Sequence, residues 1–128
     1  GFFLEFQTMA TNTTYTAANV ARSDGVVRRA SGKITFPADS ITAGDYISLE
    51  CGFFPKKVTF INATDRIRVE HWIGMTDDTC IKTAAAGAVT LETTNKGITL
   101  SASGFTVSQN ATLAVIAASK VCYWDAEG

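Results

Sequence analysis

Histidine, cysteine and charge are all scarce in this chain, and each shortage removes a class of function. The one histidine is His71, and no H-E-x-x-H, G-x-S-x-G or D-x-D-x-D-G pattern accompanies it. The usual signatures of a zinc hydrolase, a serine hydrolase and a calcium loop are therefore missing. The three cysteines, Cys51, Cys80 and Cys122, form no C-x-x-C pair. Their odd number argues against a disulfide framework, and their spacing argues against a zinc site. They read as small, reduced, partly buried apolar residues, which fits assembly in a reducing cytoplasm. Charged residues are 18% of the chain, below the roughly 25% of an average domain. Arg28-Arg29 and Lys56-Lys57 are isolated pairs, not the broad basic patch that neutralises several phosphates, so no nucleic-acid partner is expected. No apolar run approaches the roughly 18 residues of a spanning helix, so no membrane partner is expected either.

What is present points to β-structure. Hydrophobic residues make up 46% of 128 residues, enough for one globular domain with a modest core. Thr, Val, Ile and aromatics recur at alternating positions, and helical periodicity is hard to find. Turn clusters punctuate the chain at short intervals, among them Ser23-Asp24-Gly25, Ser31-Gly32, Asn62-Ala63-Thr64-Asp65, Thr76-Asp77-Asp78 and Asn95-Lys96-Gly97. The predicted class is all-β: a single compact β-sandwich or barrel, jelly-roll-like, with an extended N-terminal arm. The arm is expected over residues 1–30 and the β domain over 31–128. Strands are expected at 25–30, 33–36, 45–50, 57–62, 66–73, 79–83, 89–93, 98–101, 105–108, 114–117 and 121–125.

The segment CGFFPKKVTFINATDRIRVEHWIGM, residues 51–75, carries the main candidate residues. Pro55 suits a strand entrance, because it has no amide to donate. Strands over 57–62 and 66–73 around the Asn62–Asp65 turn make a hairpin. Strand parity puts Ile67, Val69, His71 and Ile73 on one face and Arg66, Arg68, Glu70 and Trp72 on the other. His71 thus falls on the apolar face, away from Glu70, where a lone histidine is a satisfied core residue. Asp77-Asp78 reads as a β-turn. The sequons at Asn12, Asn62 and Asn110 read as chance matches in a Thr-rich chain, with Asn62 and Asn110 as turn residues. No catalytic, metal-binding or cofactor-binding residue is predicted, and no cofactor.

The N-terminal GFFLEFQ is apolar and then turns polar. It has no basic region and is too short for a secretion signal. Met9 offers a second start position, with GFFLEFQ as an upstream extension. Phe2, Phe3, Leu4 and Phe6 exposed on a monomer would be an aggregation liability. They are expected to be buried against a partner.

The order Gly52-Phe53-x-Pro55-Lys56-x-Val58, Asn62, Glu70-x-Trp72 with Gly74-Met75, a Thr/Ala-rich loop with Gly87, Gly97-Ile98, Gly104-Phe105-Thr106-Val107 and a closing aromatic strand ending in Ala126 resembles small β-rich structural proteins of tailed bacteriophages, the capsid decoration (cement) proteins. It covers about residues 44–126. The resemblance implies a non-enzymatic virion protein made in the host bacterial cytoplasm. Such a protein binds the major capsid protein on the capsid exterior, stabilises the capsid by bridging its subunits, and self-associates as a homotrimer. Arg66, Arg68, Glu70 and Trp72, with Phe2, Phe3, Leu4 and Phe6, are the expected interface residues. The alternative reading is a head- or tail-fibre module that recognises a host-surface glycan, with Trp72 stacking on a sugar ring.

Overall fold

Period-two alternation becomes strands wherever turn residues allow the chain to reverse. The computed structural model describes residues 16–23, as backbone only, together with 28–38 and 44–128. Among the described residues, ten strands run in chain order: β1 (Thr16–Ser23), β2 (Arg29–Thr35), β3 (Tyr46–Glu50), β4 (Lys57–Asn62), β5 (Ile67–Trp72), β6 (Cys80–Thr83), β7 (Val89–Glu92), β8 (Ile98–Leu100), β9 (Gly104–Ser108) and β10 (Val121–Glu127). They form two antiparallel sheets, one of seven strands in the order β1-β2-β10-β4-β5-β6-β7 and one of three in the order β3-β9-β8. The architecture is all-β, and the sheets do not close into a barrel.

The inner faces of the two sheets make the core. Ile34, Val58, Phe60, Val69 and Trp124 come from the large sheet, and Ile47, Leu49, Ile98, Phe105 and Val107 from the small one. Trp124 is central. Its ring meets Phe105 edge-on, with centroids 5.5 Å apart. Its strand neighbour is Gly32, and a Cβ there would lie 2.6 Å from the indole Nε1. Only hydrogen fits under the ring. Ser31-Gly32 therefore lies within β2 and is not the turn its composition predicted.

Several expectations change at the element level. Residues 16–23, in the segment read as an arm, pair with β2 as the edge strand of the large sheet. The expected boundary at residue 30 falls inside β2. The apolar stretch 114–117 is not a strand; it belongs to a turn-rich loop between β9 and β10. That loop caps the sandwich with Leu113, Val115 and Ile116, all buried. Arg66 is not on a strand either. Its φ of 60° places it in the turn ahead of β5. Ile73, past the end of β5, is 54% exposed rather than inward-facing.

β4 and β5 pair as the expected antiparallel hairpin and lie inside the seven-stranded sheet, with β10 on one flank and β6 on the other. Asn62 holds its tip. The Asn62 carbonyl oxygen Oδ1 accepts from the Asp65 amide at 2.9 Å, and Nδ2 donates to Asp65 Oδ2 at 3.0 Å. Asn62 has no exposed surface, so its amide is closed to a glycan-transferring enzyme. Asn110 is also a turn residue: its Oδ1 accepts from the Thr112 amide at 2.8 Å.

Candidate functional site

His71 is 1% exposed, and its Nδ1 lies 2.7 Å from the Thr79 carbonyl. A carbonyl only accepts, so Nδ1 carries the proton. Gly97 packs so closely on the Thr79 backbone that a Cβ would collide with it. The histidine thus ties β5 to the residue that precedes β6. It is a buried cross-brace with Glu70 on the opposite face, as strand parity predicted. Asp78 is engaged elsewhere, accepting from Ser108 Oγ at 2.7 Å. No group of three or more metal-ligating side chains occurs among the described residues.

The three cysteines are buried and form no disulfide with one another. Burial pushes the Cys80 thiol up to about 12, with the Glu92 carboxylate adding to the rise. Burial does the same for Cys122, with Asp65 adding. Cys122 Sγ donates to the Val115 carbonyl at 3.5 Å. These thiols are protonated packing groups and poor nucleophiles.

The residues expected to form an interface divide into three groups. Phe2, Phe3, Leu4 and Phe6 lie outside the described residues. Arg66 sits in the hairpin turn. Arg68, Glu70 and Trp72 remain together on the outer face of the large sheet, where parity and the register of β4, β6 and β10 hold them. There Lys57 lies opposite Trp72, with its ammonium 5.3 Å from the ring centroid. Glu70 Oε2 is 3.8 Å from Lys57 Nζ, and Glu70 Oε1 is 3.9 Å from Arg68 Nε. The cluster is balanced in charge and solvated, so these pairs add little to stability. Their consequence is geometric, because Trp72 stands fixed beneath a cation.

The register extends this face. Tyr123, Ile61, Arg68, Thr83 and Val89 form one cross-strand row, and Asp125, Thr59, Glu70, Ile81 and Leu91 form the next. Tyr123, Trp72, Val89 and Leu91 are all exposed, the last two above 60%. A charged centre is thus flanked by large apolar side chains. Its far edge is β7, a short edge strand in regular register. The opposite edge strand, β1, carries a register shift between Ala18 and Ala21, the kind of bulge that protects an edge from further pairing. Sequence parity found Trp72, Glu70 and Arg68. It missed Lys57, Tyr123, Val89 and Leu91, because they join the patch only through long-range strand order.

A second feature lies on the outer face of the small sheet. A cleft of about 380 Å³ opens beside Tyr46 and Ser108, which are paired across β3 and β9. Asp78 reaches it from the β5–β6 connection, its amide donating to Thr99 Oγ1 at 3.0 Å. Sequence reasoning took Asp78 as a turn residue only.

No protein-family model, curated protein or solved structure matches this chain.

Proposed function

We propose that this chain is a non-enzymatic structural protein of a tailed-phage virion. It docks on the capsid exterior through the outer face of its seven-stranded sheet, bridges subunits of the major capsid protein, and self-associates as a homotrimer. The observation that carries the reading is the outer face on which Trp72, Lys57, Glu70 and Arg68 lie beside exposed Tyr123, Val89 and Leu91. Aromatic and Arg anchors amid balanced charge are the composition of protein–protein hot spots. Weak contacts repeated over a lattice multiply through effective concentration. The resemblance of residues 44–126 to cement proteins supports the same reading.

The alternative use of Trp72 as a sugar-stacking platform is disfavoured by one contact, since the Lys57 ammonium lies over the ring face that a sugar would use. The test is co-sedimentation with purified capsids stripped of their decoration protein. Wild type is expected to pellet at fixed stoichiometry. Trp72→Ala combined with Arg68→Glu is expected to lose at least tenfold in occupancy while keeping its circular dichroism spectrum. Equal occupancy of the variant would reject the docking face.

A further inference from the structure

The cleft on the three-stranded sheet lies on the side of the sandwich opposite the proposed docking face. Its floor is built by strand parity. Ile47, Val107 and Ile98 point into the core, which leaves Tyr46, Thr106, Thr99 and the buried Ser108 on the outward side of the sheet. Two connections then raise walls around this floor. Asp45 comes from the approach to β3, where its carbonyl accepts from the Gln109 amide at 2.8 Å. Asn95 comes from the β7–β8 connection, with a φ of 61°. Asp78, with a φ of 59°, is pinned at both ends of its residue: its amide donates to Thr99, its carbonyl accepts from Lys96 N, and its carboxylate accepts from Ser108. Two left-handed non-glycine residues at one cleft are costly conformations, of the kind that gather at functional sites.

The chemistry of the lining narrows the ligand. Among the described residues, no lysine, arginine or histidine lines the cleft, while two carboxylates do. Anions such as phosphates or acidic sugars are therefore repelled. The walls carry hydroxyl, amide and carboxylate groups in alternation, which an apolar ligand would leave unpaired. Asp45 Oδ2 is buried with no hydrogen-bond partner among the described residues, a polar group retained despite the cost of desolvation. Tyr46 is 42% exposed and lines the cleft. One aromatic face beside carboxylate, amide and hydroxyl groups matches a pyranose ring, with apolar C–H groups on one face and hydroxyls around its edge.

We propose that this cleft binds a neutral saccharide unit. Tyr46 stacks against the C–H face of the ring, Asp78 and Asp45 accept from ring hydroxyls, and Asn95, Thr99 and Thr106 exchange hydrogen bonds with the rest. The site is independent of the docking face. A virion protein attached through its large sheet would present the cleft to the surroundings of the particle.

The test uses the isolated full chain. Amide chemical shifts are followed by NMR during titration with glucose, galactose, mannose, N-acetylglucosamine and their β-linked disaccharides, each to tens of millimolar. Calcium chloride and sialic acid are titrated in parallel. At least one neutral sugar is expected to shift Tyr46, Asp78, Thr99 and Thr106 in a saturable way. Tyr46→Ala is expected to weaken that response at least tenfold while spectral dispersion is kept, and Trp72→Ala is expected to leave it unchanged. No saturable shift with any neutral sugar would overturn the proposal. So would shifts that map to Trp72, or a cleft that responds to calcium or sialic acid instead. The absence of any shift would bear on the cleft alone, whereas shifts at Trp72 would favour a sugar-binding use of the large-sheet face, so the two readings fail separately.

Discussion

At the scale of single residues, two close contacts decide what the core tolerates. Gly32 lies beneath the Trp124 indole, so a methyl there must push a packed ring. Gly32→Ala is expected to lower stability by about 1–3 kcal/mol, measured as a drop in the urea midpoint with an unchanged slope. The buried thiols give a second prediction. Native protein at pH 8 is expected to resist a thiol reagent, and denatured protein to react at all three cysteines. The pH dependence has a definite sign. Cys80 and Cys122 hold their protons up to about 12 when folded, against an ordinary value near 9. The folded state therefore binds more protons than the unfolded state in that interval. Their contribution to stability is fully present below pH 9 and is lost as pH rises from there through about 12. The Cys80→Ala/Cys122→Ala variant is expected to show a shallower fall in urea midpoint between pH 8 and pH 10. A fall of equal steepness would remove the thiols from the explanation.

At the scale of elements, the 109–120 loop is where local reading and structure part. Leu113, Val115 and Ile116 are buried there without strand geometry. Two anchors hold the loop from outside: Lys82 Nζ donates to the Thr112 carbonyl at 2.7 Å, and Asn62 Nδ2 reaches the Ala114 carbonyl at 3.5 Å. Leu113→Ala is expected to cost about 2–5 kcal/mol, a loss that differential scanning calorimetry would register as a lower midpoint. An effect below 0.5 kcal/mol would mean that the loop is not a structural cap. Period-two alternation makes β4, β5 and the burial of His71 legible in sequence, because one face of each strand is apolar. The 114–117 run is apolar for a different reason, since a cap also needs a buried face. The place of β10 between β2 and β4 is not legible at all. It depends on pairings between residues 60 to 98 positions apart, which leave no local pattern. For the same reason Tyr123 and Lys57 joined the Trp72 face only in the folded chain, and Asp78 reached the Tyr46 cleft only through its bond to Ser108.

At the scale of the whole molecule, the sandwich has two outer faces of different character. The large sheet offers a broad face in which aromatic and aliphatic side chains surround a balanced charge cluster. The small sheet offers a cleft lined by carboxylates, hydroxyls and one tyrosine. The proposed decoration role would use this asymmetry, with one face for a particle and one turned away from it. Leu91→Asp on the exposed edge strand is expected to change stability by less than about 0.5 kcal/mol. It is expected to reduce any self-association that uses the β7 edge, read by sedimentation velocity. Oxidative footprinting by mass spectrometry reads the proposed docking orientation directly, because Trp72, Tyr123 and Tyr46 are all exposed in the isolated chain. On the capsid, Trp72 and Tyr123 are predicted to lose most of their reactivity while Tyr46 keeps its own. Protection of Tyr46 with Trp72 and Tyr123 unchanged would contradict the account.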